Sequence, residues 1–425
     1  MCLKDETRGA SPAGTDTPER TANVRGPVIV GLIVAAAAGA LYITGRVAGQ
    51  SLLMFLAKLA LLIDVTAALL FWGVNRLFGA VRARALMTNL ALVVGSLAVA
   101  AVMAELIVRF AFSGITTTAD TSYFTRRWGS GHVRLNSLGF RDREFSMGKA
   151  NGVYRIAVVG DSFAFGLGIE EKDRFGNILQ WYLNNEKGSR FEVLNFGRAG
   201  FQPEDEIEAM KRFVFALKPD FILLQWFVND VMGRTKSSPA TTPIPLLPSS
   251  TVGPLLSQHS ALYFLLNRQF AVFQEHFGIT KADIEYYQER FGDPQSADSL
   301  EAMRIMKELI DECKSRNIAM GIVLFPYPDD NPRTNYPFNY LHDRMRDLCQ
   351  RENIACLDLR EAREPFRGTQ ALWVNRFDSH ASALANRIAA DALLERFSTT
   401  WLSGAAEKSA PVIEGSKPAN SRPGG

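Results

Sequence analysis

A serine, two glycine-bearing turns and an Asp–His pair are the residues of this chain whose types and spacing could do chemistry. In RIAVVGDSFAFG, Arg155 to Gly166, an apolar run ends at Gly160 and leads directly into Asp161 and Ser162. That puts a serine at the carboxyl end of a strand, where open parallel sheets place their ligands. The same Asp-Ser pair can also simply cap a helix. Two later runs end in LNFGRAGF, with Asn195, Gly197 and Gly200, and in QWFVNDV, with Asn229 and Asp230. Near the C-terminus, RFDSHASALANRIAADALLERF sets Asp378 and His380 before an amphipathic stretch. Each fragment has a bland reading as a turn or a cap. All four in this order point to nucleophilic catalysis, in which an imidazole takes the proton of a serine hydroxyl. Of the five histidines (His132, His259, His276, His342 and His380), only His380 has an acid two residues away and a helix pattern directly behind it. Asp378 would then fix the imidazole tautomer and stabilise the imidazolium.

Alternating elements must hold these residues. Strands are expected at Tyr154–Val159, Phe191–Asn195, Phe221–Phe227, Ile318–Phe325 and Ile354–Leu357. Amphipathic helices are expected near 175–187, 204–217, 299–316, 338–351 and 382–397. Such alternation argues for a parallel sheet with helices on both faces. One interruption, 232–298, has no strand signal. Its aromatic residues Tyr263, Phe264, Phe270, Phe273, Tyr286 and Tyr287 suggest a lid over a substrate groove, with a helical excursion packed on the sheet as the other reading.

Before residue 113 the apolar residues come in long unbroken runs. Three of them, Pro27–Gly45, a stretch within Ser51–Asn75, and Leu86–Phe112, are long enough to cross about 30 Å of hydrocarbon. Lys4, Arg8, Arg20 and Arg25 precede the first run, and Arg76, Arg82 and Arg84 separate the second from the third, whereas the first loop holds only Arg46. By the positive-inside rule the N-terminus is cytoplasmic and everything after residue 113 lies outside. The expected organisation is a disordered tail at 1–26, a membrane domain at 27–113, a linker at 114–152, a catalytic domain at 153–400 and a second disordered tail at 401–425. Lys58, Asp64 and Glu105 interrupt the apolar runs. Pairing and snorkelling at the outer interface is their expected role, a functional relay the alternative.

The motifs resemble the SGNH branch of the GDSL esterase/lipase superfamily over residues 153 to about 398, and most closely its bacterial members that open with N-x-x-GFRD, here Asn136 to Asp142. The resemblance implies a flavodoxin-like, three-layer α/β fold with strand order 2-1-3-4-5. It also implies a nucleophile at Ser162, a base at His380, and an oxyanion hole formed by Ser162, Gly200 and Asn229. One departure stands out. The family's last motif is commonly D-x-x-H, which would need an acid at Phe377, whereas here Asp378 gives D-x-H.

The formal charge of +3 on 425 residues, with no long Lys/Arg block, gives no nucleic-acid surface. Cys2, Cys313, Cys349 and Cys356 form no CxxC pair and lack zinc-finger spacing, so no metal is expected and the chemistry requires no cofactor. Buried free thiols are the reading for the three cysteines of the soluble part. Two functions share these residues: a hydrolase of acylated envelope glycans or lipids at the cytoplasmic membrane, and an O-acyltransferase of exopolysaccharide or cell-wall sugars. A third reading, a non-catalytic scaffold among envelope or polysaccharide-export proteins, has no need of the intact Ser162, Asn229 and His380.

Overall fold

The computed structural model describes residues 79–409 apart from 119, 186–189, 234–242, 281–282, 328–335 and 367, together with scattered residues between 65 and 76. The chain divides into two compact units, Met1–Ala104 and Glu105–Gly425. In the first, helix α1 (Ala80–Ala111) begins. Its segment Arg84–Ala111, 28 residues with mean hydropathy 2.4, is the one helix among the described residues long and apolar enough to cross a membrane. The first expected span, Lys58 and Asp64 fall outside the described residues, and only scattered residues of the second span are described.

The second unit opens with the last turns of α1 and continues through α2 (Tyr123–His132), β1 (Tyr154–Gly160), the single-turn α3 (Ser162–Phe165), α4 (Phe175–Asn185) and β2 (Phe191–Gly197). Next come α5 (Pro203–Ala209), β3 (Phe221–Trp226), α6 (Val252–His259), α7 (Ala261–His276), α8 (Asp283–Phe291), α9 (Ala297–Lys314) and β4 (Ala319–Leu324). The chain then forms α10 (Asn339–Arg351), β5 (Ala355–Asp358), α11 (Arg360–Arg363), β6 (Trp373–Asn375), β7 (Asp378–Ala381) and α12 (Ala383–Ser409). The five parallel strands lie in the order β2-β1-β3-β4-β5, and β6 and β7 form a separate antiparallel ribbon.

The alternation of side chains along a strand builds the two outer layers. Ile156 and Val158 of β1 pack with Phe175 and Leu179 of α4 and with Ala389, Leu393 and Phe397 of α12. Ala157 and Val159 face the other way, into a cluster with Ile207, Leu309 and Met345 from α5, α9 and α10. Every residue of β1 and β3 is buried, as expected of central parallel strands covered on both faces.

Three expectations need correction. Residues 114–152 are not a bare linker: Phe124 and Phe140 are buried, and the Arg141 guanidinium donates from Nη1 to Gly166 O (2.6 Å) and from Nη2 to Ile169 O (2.8 Å). The Asp142 carboxylate accepts from Asn195 N at 2.7 Å, so the GFRD segment stitches the ends of β1 and β2 together. The boundary at residue 400 falls inside α12, where Trp401 is wholly buried against Phe221 and Phe397, so 401–409 is helix rather than tail.

The third concerns the segment 232–298, which is not a free lid. Tyr286, Tyr287 and Phe291 of α8 belong to the main core beside Phe338, and Phe264 of α7 packs edge-on against Phe124. Glu105 ties α7 down further. Its carboxylate accepts from Ser260 Oγ (2.8 Å), Ala261 N (2.9 Å) and Leu262 N (2.9 Å), while Arg109 one turn on pairs with it at 2.6 Å. A negative side chain there satisfies the unpaired amides of a helix start and complements its dipole.

Trp401→Ala should lower the unfolding free energy by about 3–5 kcal/mol, the usual cost of emptying a large aromatic site. Denaturant unfolding of the purified protein measures it. A change below about 1 kcal/mol would return 401–409 to the status of a tail.

Candidate active site

Strand β1 ends in a glycine because the next turn is tight. A Cβ on Gly160 would lie 2.5 Å from Gln225 Oε1, the atom that accepts from Asp161 N and Ala164 N at 3.1 Å each. Asp161 then caps the single turn of α3 through Phe163 N (2.9 Å). On the far side, a Cβ on Gly197 of β2 would meet the backbone carbon of Ala164 at 2.5 Å. Packed between two strands in this way, the turn leaves Ser162 partly exposed at the carboxyl edge of the sheet.

The β6–β7 ribbon brings up the partners of the serine. His380 Nε2 lies 2.8 Å from Ser162 Oγ, and His380 Nδ1 lies 2.6 Å from Asp378 Oδ1. Residues two apart on a strand share a face. Asp378 and His380 both lie on β7, so D-x-H suits a strand as D-x-x-H would not. Asp378 is almost fully buried. Burial pushes its carboxyl up, but hydrogen bonds and charge from His380, with a further bond from Thr117, outweigh this and hold it below the usual carboxylate range. The Phe163 ring lies 5.1 Å from the imidazole and restricts its rotation.

Thr117 had no motif to mark it. Its hydroxyl donates to Asp378 Oδ2, and Asn375 Nδ2 holds the Thr117 carbonyl at 2.9 Å. The only hint in the sequence is polarity: GITTTADT directly follows an apolar run.

The expected oxyanion donors stand at the ends of the neighbouring strands. Gly200 is exposed in the turn after β2, with φ +83°, a left-handed backbone that favours glycine. Asn229 sits in the turn after β3, and its amide is among the groups that draw the Asp161 pKa down against the upward push of burial. With Ser162 after β1, the three lie at the ends of three adjacent strands.

Beneath this edge is a feature that the motifs did not announce. Glu206 and Asp230 are buried beside Asp161, and both carboxylate oxygens of Glu206 lack a hydrogen-bond partner. Burial first, and then mutual repulsion among the acids, pushes Glu206 and Asp230 well above the carboxylate range. Among the described residues no group of His, Cys, Asp and Glu could hold a metal ion. Cys313, Cys349 and Cys356 are free thiols.

The chain resembles solved esterase structures. One is the acetyl xylan esterase AlAXEase, 15% identical, covering 57% of this chain and 98% of that one, with a TM-score of 0.36. Another is a lipolytic protein of the G-D-S-L family from Veillonella parvula, 15% identical, with 58% and 98% covered and a TM-score of 0.36. A third is the psychrotrophic esterase EstA from Pseudoalteromonas sp., 12% identical, with 59% and 98% covered and a TM-score of 0.35. No protein-family model and no curated protein matches the chain. At these identities the roles of individual residues rest on this chain's own geometry.

Two outcomes test the site. Thr117→Val removes a donor from a buried carboxylate, which should cost about 1–3 kcal/mol of stability in urea unfolding; an unchanged midpoint would mean the bond contributes nothing. Glu206 has a raised native pKa, so the folded state loses stability as pH climbs from the unfolded value, about 4.3, through the native one. Glu206→Gln should therefore match the parent below about pH 4 and gain thermal stability over it as pH rises. Parallel melting curves across pH would show that Glu206 keeps no proton.

Proposed function

We propose that the chain is a serine ester hydrolase of the SGNH type, and the observation that carries this reading is the continuous Ser162–His380–Asp378 hydrogen-bonded chain. His380 Nε2 takes the Ser162 proton as Oγ bonds the acyl carbon of the substrate. The Ser162 and Gly200 amides and the Asn229 side chain stabilise the oxygen that becomes negative; each such donor is worth ~100–1,000-fold in rate. Collapse of this intermediate breaks the ester bond, and the departing alcohol takes its proton from His380. Water then repeats the cycle on the acyl-serine, releasing the acid. Asp378 stays ionised throughout and orients the imidazole.

The substrates we propose are acylated glycans or lipids of the cell envelope, acted on outside the cytoplasm by a domain anchored through α1 and the apolar runs before it. The length and composition of Arg84–Ala111 and the Lys/Arg asymmetry of the loops support this placement.

An active-site-directed fluorophosphonate should label Ser162, located by mass spectrometry of the modified peptide. Ser162→Ala and His380→Ala should each abolish turnover to a similar degree, because the residues act as a unit. Asp378→Asn should lower kcat by orders of magnitude, and Asn229→Ala should leave residual activity. Full activity in purified Ser162→Ala would end the assignment. For the topology, a reporter active only outside the cytoplasm should work when fused after residue 409 and fail between Arg82 and Arg84; the reverse pattern inverts the orientation.

A further inference from the structure

A cleft of about 800 Å³ opens at the carboxyl ends of β4 and β5, walled by Tyr327, Arg363, Phe366 and Trp373 among others. Two chains of contacts lead from it toward the triad. The Tyr327 ring stacks on Phe227 (6.1 Å, 11°), Phe227 lies 4.5 Å from Phe163, and Phe163 lies against the catalytic imidazole. Trp373, on β6, pairs with Ala381, the residue after His380.

Arg363 is the anomaly in this wall. It is 8% exposed, and among the described residues its guanidinium makes one hydrogen bond, from Nη1 to Pro326 O at 3.2 Å. Among the described residues no carboxylate pairs with it. Burial pushes its pKa down to about 10, against a smaller upward pull from Tyr336 in the same wall. Its neighbour Arg360 shows the contrast, since it is neutralised by Asp358 (2.6 Å) and Asp343 (3.1 Å). Asp358 is occupied further by His342 at 3.1 Å. Glu361 and Glu364 also border the cleft but stand exposed, where solvent screens them. A buried charge favours a site that supplies it with a counter-ion, and a guanidinium's planar fork of donors matches carboxylate and phosphate. Aromatic side chains beside it offer flat apolar faces to a sugar ring.

We propose that this cleft is a subsite for an anionic sugar, binding a carboxylate or phosphate at Arg363 while another part of the same glycan presents its ester to Ser162. The proposal rests on the hydrolase reading only for that last clause; recognition of the anion stands or falls separately. It makes the preferred substrate an acidic acylated glycan rather than a neutral one.

The test is calorimetric titration of full-length Ser162→Ala protein in detergent with three unacylated trisaccharides: one of uronate residues, one carrying a phosphate and one neutral. A charged trisaccharide should bind at least about tenfold more tightly than the neutral one, the lower end of what a hydrogen bond to a charged group supplies. Which charged sugar leads distinguishes carboxylate from phosphate. In the same background Arg363→Gln should bring the charged sugar down to the neutral one's affinity, with Arg363→Lys between the two. Equal Kd values for charged and neutral sugars overturn the subsite without reference to any variant, and so does a charge preference that survives Arg363→Gln. Charge-selective binding in a protein whose unmutated form takes no fluorophosphonate label would sink the hydrolase and leave the subsite standing.

Discussion

The Asp378 carboxylate is the point on which the arrangement of Ser162 and His380 at the sheet edge depends. It is buried, which opposes its charge, and it remains ionised because His380 and Thr117 both bond to it. These two partners reach it from distant parts of the chain. Thr117 precedes β1, and His380 lies on the ribbon before the last helix. Keeping one carboxylate charged therefore requires the segment after α1 and the β6–β7 ribbon to be in register at once. Disturbing either of them exposes or orphans an ion in a low-dielectric site, where the loss is largest.

A second set of acids under the same edge behaves in the opposite way. Asp378 has partners and loses its proton, whereas Glu206 has no hydrogen-bond partner and the one bond that Asp230 accepts from Phe227 N does not offset burial and the neighbouring acids, so both are pushed to keep theirs. Carboxyl groups of one chemical type thus take opposite protonation states at one sheet edge because their partners differ. A neutral acid there limits the negative charge that the turns bearing Ser162 and Asn229 must tolerate.

The sheet was legible in the sequence because its signal is local. The apolar runs at Tyr154 and Phe221 are long and bounded by turns, and the structure shifts their ends by one residue at most. Ser162, Asp378 and His380 were legible for the same reason, each marked by a motif within a few residues. What escaped was contact between segments far apart in sequence. Thr117 lies 261 positions from the carboxylate it serves, and the aromatics of 261–291 read as a lid because nothing local says that Phe264 meets Phe124. Arg141 looked like part of a motif in a linker and proves to be a wholly buried clamp on the turn after α3. Trp401 lay beyond a composition-based boundary that cannot sense a hydrophobic pocket in the sheet opposite.

The ribbon that carries Asp378 and His380 constrains how this site can vary. On a strand, side chains return to the same face at every second position, so separations of two preserve the Asp–His contact and separations of three break it. Position 377 lies just outside β7, in the turn that joins it to β6, so an acid there would reach the imidazole from a turn and not along the pleat. Moving the acid from 378 to 377 therefore changes the backbone that carries it, from strand to turn, as well as its place in the sequence. The distance in letters between acid and base is in that sense a record of local geometry, readable without any coordinates.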